Sequence, residues 1–325
     1  MVGLIEYELA GADLGEVRFA LSPMNELVLS LRTWREPGRY PLMLPWLQRT
    51  EAARAGLDAE LLLALTNQSL WTPDFLTPRP RSPLTRFDDE LAMVAATPLD
   101  VVREDVAEVH PEELPEVLRG RRDRLLRRIV AALAAYWETC FEPWWPRMRA
   151  VLEADIVHRG RVIARAGLAA MFADLSPRIR LVGGVVRCEM TSKVGFRRTT
   201  AGEGLTLAPS LFTRNATAPI SADEPPLIMY GARGVGTLWE PEPPGSRDAL
   251  ADLLGPVRAR LLGLLESPAS STELAVRLGV TTSAVNQHLR ALRDGGLLTS
   301  ARHGRSVLYL RSDLGDRLVT ASARR

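Results

Sequence analysis

Lysine is almost missing from this chain. Of 41 basic residues only Lys193 is a lysine, and arginine stands elsewhere, a trace of GC-rich coding and not of function. Cysteine is scarce as well: Cys140 and Cys188 are too few for a secreted disulfide framework, so a reducing, cytoplasmic setting is expected. No run of 18 apolar residues exists, so no membrane-spanning helix and no membrane partner are expected. The opening MVGLIEYELA lacks a basic region followed by an apolar stretch, so no signal peptide is expected. Histidine is rare, four in 325 residues, and neither Gly-x-Ser-x-Gly nor His-Glu-x-x-His occurs. An enzyme is therefore disfavoured, and no catalytic residue and no cofactor is expected.

What is present suffices for two domains: 325 residues, 46% of them hydrophobic, can build a substantial core. Residues 4–9 alternate like a strand. Ser22-Pro23 opens a helix by capping chemistry, with Leu27, Leu31 and Trp34 inward, and Pro37-Gly38 stops it. Two helical stretches are expected within 41–70, a stiff proline-rich loop over 71–83, and helices over 88–109, 112–118, 121–141 and 143–165. After Pro177 the texture changes to short β-prone runs at 179–182, 185–190, 205–211 and 227–230. The expected fold class is α+β. A mainly helical effector-sensing or dimerisation domain (1–240) is followed by a semi-rigid proline-rich linker (241–248) and a small C-terminal domain (249–325).

That last domain carries the sharpest pattern. Leu274, Ala275 and Leu278 share one face of a short helix, and Gly279 supplies a tight turn. Thr281 sits at an N-cap. The helix after it buries Val285, Leu289 and Leu292 and turns Thr282, Ser283, Asn286 and Gln287 outward. Asp294-Gly295-Gly296 ends it. Two strands then follow, joined by Arg302-His303-Gly304-Arg305. Helix, turn, second helix and basic hairpin read as a winged helix-turn-helix that binds double-stranded DNA at an operator.

The run Glu273, Leu274, Ala275, Leu278, Gly279, Ser283, Val285, His288, Leu289, Leu292, Gly296 and Leu297 resembles the ArsR family of bacterial transcription regulators. The likeness covers about residues 250–320. A fainter one, around Ser22-Pro23 and Leu44-Pro45-Trp46-Leu47, is similar to the N-terminal region of large ArsR-type regulators of high-GC bacteria and implies no general activity. The family often senses metals through a Cys-x-Cys pair on the first helix of the motif or through C-terminal histidines. Here that helix reads Glu273-Leu274-Ala275-Val276-Arg277, and the C-terminus offers Asp313 and Asp316 without histidine, so no metal site is expected.

Charge agrees with the motif. From residue 250 onward 11 arginines face 6 acidic residues, and phosphate neutralisation needs such a bias. The expected DNA-binding residues are Thr281, Thr282, Ser283, Asn286, Gln287, His288, Arg290, Arg302, His303 and Arg305. Thr282, Ser283, Asn286 and Gln287 would read bases, Arg302 and Arg305 would meet phosphate or the minor groove, and His288 is read as structural or phosphate-contacting. A two-fold homodimer is expected, because one recognition helix covers few base pairs. Its interface would use Leu250, Leu253, Leu254, Val257, Leu261, Leu264, Leu314 and Leu318.

For the long N-terminal domain, Trp137, Cys140, Phe141, Trp144 and Trp145 lie close in sequence. They are read as an effector site for a small apolar or amphipathic metabolite, or as rings that only fill the core; the two are compatible. The arginines between 119 and 128 read more readily as a solvated helix face than as a DNA flank. Asp155 and His158 share a helical face without a third metal ligand. Residues 231–236 read as a flexible turn and not as a phosphate loop. Two functions follow. One is a regulator, taken as a repressor, whose operator binding responds to a small non-metal ligand. The alternative is an architectural or partner-recruiting DNA-binding protein without a small-molecule effector.

Overall fold

Ser22 accepts a hydrogen bond on its Oγ from the Asn25 N–H at 3.0 Å, and Pro23 fills the first helical position, where no N–H is needed. The helix so started, Pro23–Arg35, is buried along nearly its whole length, from Pro23 to Thr33. It forms the axis of the N-terminal core. The computed structural model describes residues 3–9, 11–80, 82, 85–190, 195–239, 246–303 and 306–323, and the chain divides into two units, residues 1–239 and 240–325.

Around that axis pack Leu44–Arg49, Glu51–Arg54, Ala59–Ala64, Phe87–Ala95, Leu99–Val109 and Arg122–Tyr136. Trp46 is fully buried; its Nε1–H donates to the Cys140 carbonyl at 3.1 Å, and its ring meets Phe141 and Phe212 edge-on. Several expected boundaries differ. Thr97-Pro98 divides the stretch 88–109 into two helices, as proline disfavours helical backbone in the residue before it. The helix expected over 112–118 is only a 3-10 turn, Glu116–Leu118, with Pro115 just before it. Past Tyr136 the chain widens into a π-helical turn, Trp137–Phe141. The next helix reaches well beyond 165, Trp145–Leu175, and is interrupted at Gly167, whose φ of 82° only glycine adopts readily.

The strands are β1 (Gly3–Glu8), β2 (Val17–Phe19), β3 (Ile179–Val182), β4 (Val185–Met190), β5 (Phe196–Thr199), β6 (Leu205–Ser210), β7 (Ala216–Thr217) and β8 (Leu227–Gly231). They make two four-stranded sheets, in the orders β3-β4-β1-β5 and β2-β6-β8-β7. In the second, β2, β6 and β8 run parallel. β6 is buried at every position, as a strand covered on both faces must be. A second core joins Tyr7, Phe172, Cys188, Leu207, Ile228 and Tyr230. Asp155 anchors it: its carboxylate pairs with buried Arg159 and accepts from the Tyr230 hydroxyl at 2.8 Å and the Arg233 N–H at 3.1 Å.

The second unit opens with Ser246–Leu254 and Pro256–Leu264, separated by Gly255 at φ 85°. Then come β9 (Ala269–Ser270), helices Ser271–Leu278 and Thr282–Asp294, β10 (Leu298–His303), β11 (Ser306–Arg311) and helix Asp313–Ala323. Its sheet order is β10-β11-β9. Leu261, Leu265, Leu274, Val285, Leu289 and Leu298 build its core. Of the expected linker, residues 241–245 lie outside the described residues, and Ser246 already begins a helix.

Candidate nucleic-acid interface

Ser270 and Glu273 close a capping box at the start of the motif. The Glu273 N–H donates to Ser270 Oγ at 3.2 Å, and the Ser270 N–H donates to Glu273 Oε2 at 2.6 Å. Apolar spacing alone misses this box; the signal that finds it is Ser-x-x-Glu at 270–273. Gly279 takes the left-handed conformation at φ 67° and turns the chain. Thr281 Oγ1 then accepts from the Ala284 N–H at 3.3 Å and starts the second helix. Gly295 has an ordinary φ of −77°; the left-handed residue after this helix is Gly296 at φ 73°.

Val285, Leu289 and Leu292 anchor the second helix in the core. On its other faces Thr281, Ser283, Gln287 and Arg290 are exposed, and Thr282, Asn286 and His288 are half-buried. The helix therefore presents a row of short polar side chains with one arginine, and no apolar side chain among those positions. That is the chemistry by which an inserted helix reads base edges in a major groove. His288 differs: its Nδ1 is buried without a hydrogen-bond partner among the described residues.

β10 and β11 pair antiparallel from Leu298 opposite Arg311 to His303 opposite Ser306. Arg302 is exposed on this hairpin; Arg305 and the side chain of His303 lie outside the described residues. Not every arginine of the unit is available for phosphate. Arg311 is largely buried, pairs with Asp316 and donates to the Leu262 carbonyl. A Cβ at Gly315 would lie 2.3 Å from the Leu297 carbonyl oxygen, so glycine is required where the last helix crosses that backbone. Of the apolar side chains expected at a dimer interface, Leu253, Val257 and Leu314 are exposed, whereas Leu250 and Leu261 are buried within the protomer.

In the N-terminal unit the aromatic cluster is packed against itself. Trp137 stacks on Phe87 at 4.3 Å, Phe141 meets Trp46, Tyr136 and Phe212, and Trp145 lies 5.5 Å from Trp137. Trp144 faces Trp239, with the Arg49 guanidinium over both rings. Cys140 is buried, and burial pushes its thiol up. The rings thus fill the core, and two cavities of this unit are lined by other residues. One, of about 30 Å³, is bordered by Arg32, Trp71, Asp74, Thr217, Ala218 and Met229. The other is an open apolar groove of about 480 Å³ between Leu99, Leu126, Val130 and Ala134.

Further sequence candidates resolve into structural contacts. Arg119 pairs with Glu113, Arg121 and Arg127 with Asp123, and Arg128 with Asp58. His158 pairs with Asp174, and a 3-10 turn, Val235–Trp239, follows residues 231–234. Among the described residues no group of three or more His, Cys, Asp or Glu is placed to hold a metal ion. None of their helices is long and apolar enough to cross a membrane.

Helix, turn, helix and two-stranded wing on a single small core define a winged helix-turn-helix. Residues 253–301 match the model of a family described as a helix-turn-helix domain. The protein named HTH-type transcriptional regulator CmtR, in Mycobacterium bovis and in Mycobacterium tuberculosis, is 42% identical over 66 residues, 20% of this chain and 53% of the relative. The chain therefore spans about half the length of the curated relatives it matches. No solved structure matches it. With the spacing of the motif, these likenesses identify the C-terminal unit as a winged helix-turn-helix similar to those of ArsR-type regulators.

Proposed function

We propose that this protein is a DNA-binding transcription regulator that acts as a repressor, with operator affinity set by a small non-metal ligand of the N-terminal unit. The observation that carries the reading is the second helix of the motif. Three buried residues, Val285, Leu289 and Leu292, fix its rotation, so Thr282, Ser283, Asn286 and Gln287 stand away from the core. The ends of the helix are held by Thr281 and Gly296, leaving its outer face free for DNA. The exposed Leu253, Val257 and Leu314 support a two-fold dimer, which would double the base pairs covered. The N-terminal unit, with 239 residues and two cores, is far larger than a dimerisation arm needs, which supports a sensing role.

Selection of bound duplexes from a random pool, followed by footprinting, tests this reading. The expected result is a palindrome with half-sites about one helical turn apart, or a multiple of it. A pool that yields no enriched sequence would leave only non-specific binding and defeat the regulator reading.

A further inference from the structure

Arg32 lies in the last turn of the central helix and is buried. No carboxylate pairs with it among the described residues, and its Nε has no hydrogen-bond partner. Burial pulls its guanidinium below the usual arginine range, and the nearby Tyr40 phenol only partly offsets that. A buried cation without a counter-ion is unfavourable, because the Coulomb and hydrogen-bonding return that offsets desolvation is missing. This one borders a cavity.

The cavity, of about 30 Å³, holds two or three water-sized centres at roughly 10–15 Å³ each, room for a carboxylate group. Its lining has two characters. Thr72, Thr77 and Thr217 bring hydroxyls, while Trp71, Met190 and Met229 bring apolar surface, the methionines able to shift around a short hydrocarbon chain. Asp74 also borders it and would at first repel an anion. Its Oδ2, however, accepts the Ile220 N–H at 2.7 Å and the Ser221 N–H at 2.9 Å. Burial pushes the carboxyl up to about 8, so near neutral pH it carries a proton and can donate.

We propose that this cavity is a binding site for a short-chain monocarboxylate, with Arg32 as its counter-ion, the Thr72 and Thr217 hydroxyls as further donors and Trp71 and the methionines around its chain. The carboxylate supplies the missing negative charge and the acceptors for the guanidinium. As the identity of the effector the proposal rests on the regulator reading; as a binding site it does not.

The test is calorimetric titration of the full-length protein with acetate and butyrate at constant ionic strength, beside acetamide, butyramide and chloride. Saturable binding of the acids, with the amides and chloride silent, is expected. Arg32→Gln should weaken acid binding about ten-fold or more. Arg32→Lys should recover part of the loss, and Thr217→Val should weaken binding even if Arg32→Gln fails to fold. Acids that do not bind the unaltered protein, or amides or chloride that bind equally well, overturn the proposal. Operator binding of the unaltered protein with and without butyrate separates the two ideas: acid that binds without changing operator affinity upholds the site and overturns its role as the effector site.

Discussion

Gln287 and Arg302 should fail in different ways when truncated, and the difference tests which surface reads sequence. Gln287 is exposed on the second helix, so Gln287→Ala should change stability by no more than about 0.5 kcal/mol. Any larger fall in DNA affinity then belongs to the base that the amide holds. One bidentate base contact is worth about 1 to 3 kcal/mol, a loss of about 5- to 150-fold on the selected operator. Affinity for a scrambled duplex should hardly move, so the specificity ratio collapses by the same factor. Asn286→Ala should behave alike. Arg302→Ala should instead weaken both duplexes together and flatten the salt dependence by about 0.9 in log-log slope for each phosphate that the guanidinium neutralises. Fluorescence anisotropy with both duplexes, across about 50 to 200 mM salt, separates the cases. Equal losses on operator and scrambled DNA for Asn286→Ala and Gln287→Ala would refute the base-reading assignment.

Three more outcomes follow from packing, exposure and burial. Leu289→Ala removes a fully buried side chain from the C-terminal core and should destabilise that unit by about 2 to 5 kcal/mol in urea unfolding, abolishing DNA binding with it. Leu253→Glu combined with Leu314→Glu should turn a dimer into a monomer by light scattering while leaving the circular dichroism unchanged, since both leucines are exposed. Glu26 and Glu90 are buried, and burial pushes each from its ordinary value of 4.5 up to about 8. Both are then protonated in the fold and ionise in the unfolded chain above 4.5. Stability should thus be greatest below about pH 4.5 as far as these groups decide it and fall by up to about 1.4 kcal/mol per pH unit for each carboxyl towards pH 8. Glu26→Gln and Glu90→Gln should flatten the urea midpoint against pH, and midpoints as steep as those of the unaltered protein would contradict the burial argument.

The C-terminal unit was legible because its determinants are local. A left-handed glycine at 279, a cap at Thr281 and an apolar triplet at helical spacing from Val285 to Leu292 lie close together, and each acts on its near neighbours. The same locality made Ser22-Pro23 a readable helix start and 179–182 and 185–190 readable strands. What composition cannot separate is a buried arginine from a solvated one. Counting charges treats Arg302 and Arg311 alike, yet one is exposed and the other is tied to Asp316 and the Leu262 carbonyl.

The N-terminal unit resisted for the opposite reason. Its aromatic density at 136–145 is a local signal, and it reports local packing: rings close in sequence are close in space and satisfy one another. A cavity needs walls that do not fill each other's gap, and here those walls come from positions 32, 71–77, 190 and 217–229, on a helix, a loop and two sheets. No periodicity links such positions. A trace in the sequence is Arg32, which like Glu26 places a charge on a helix buried from Pro23 to Thr33, where an apolar residue would have been simpler. In a chain this rich in arginine that trace is hidden until the burial of each side chain is known.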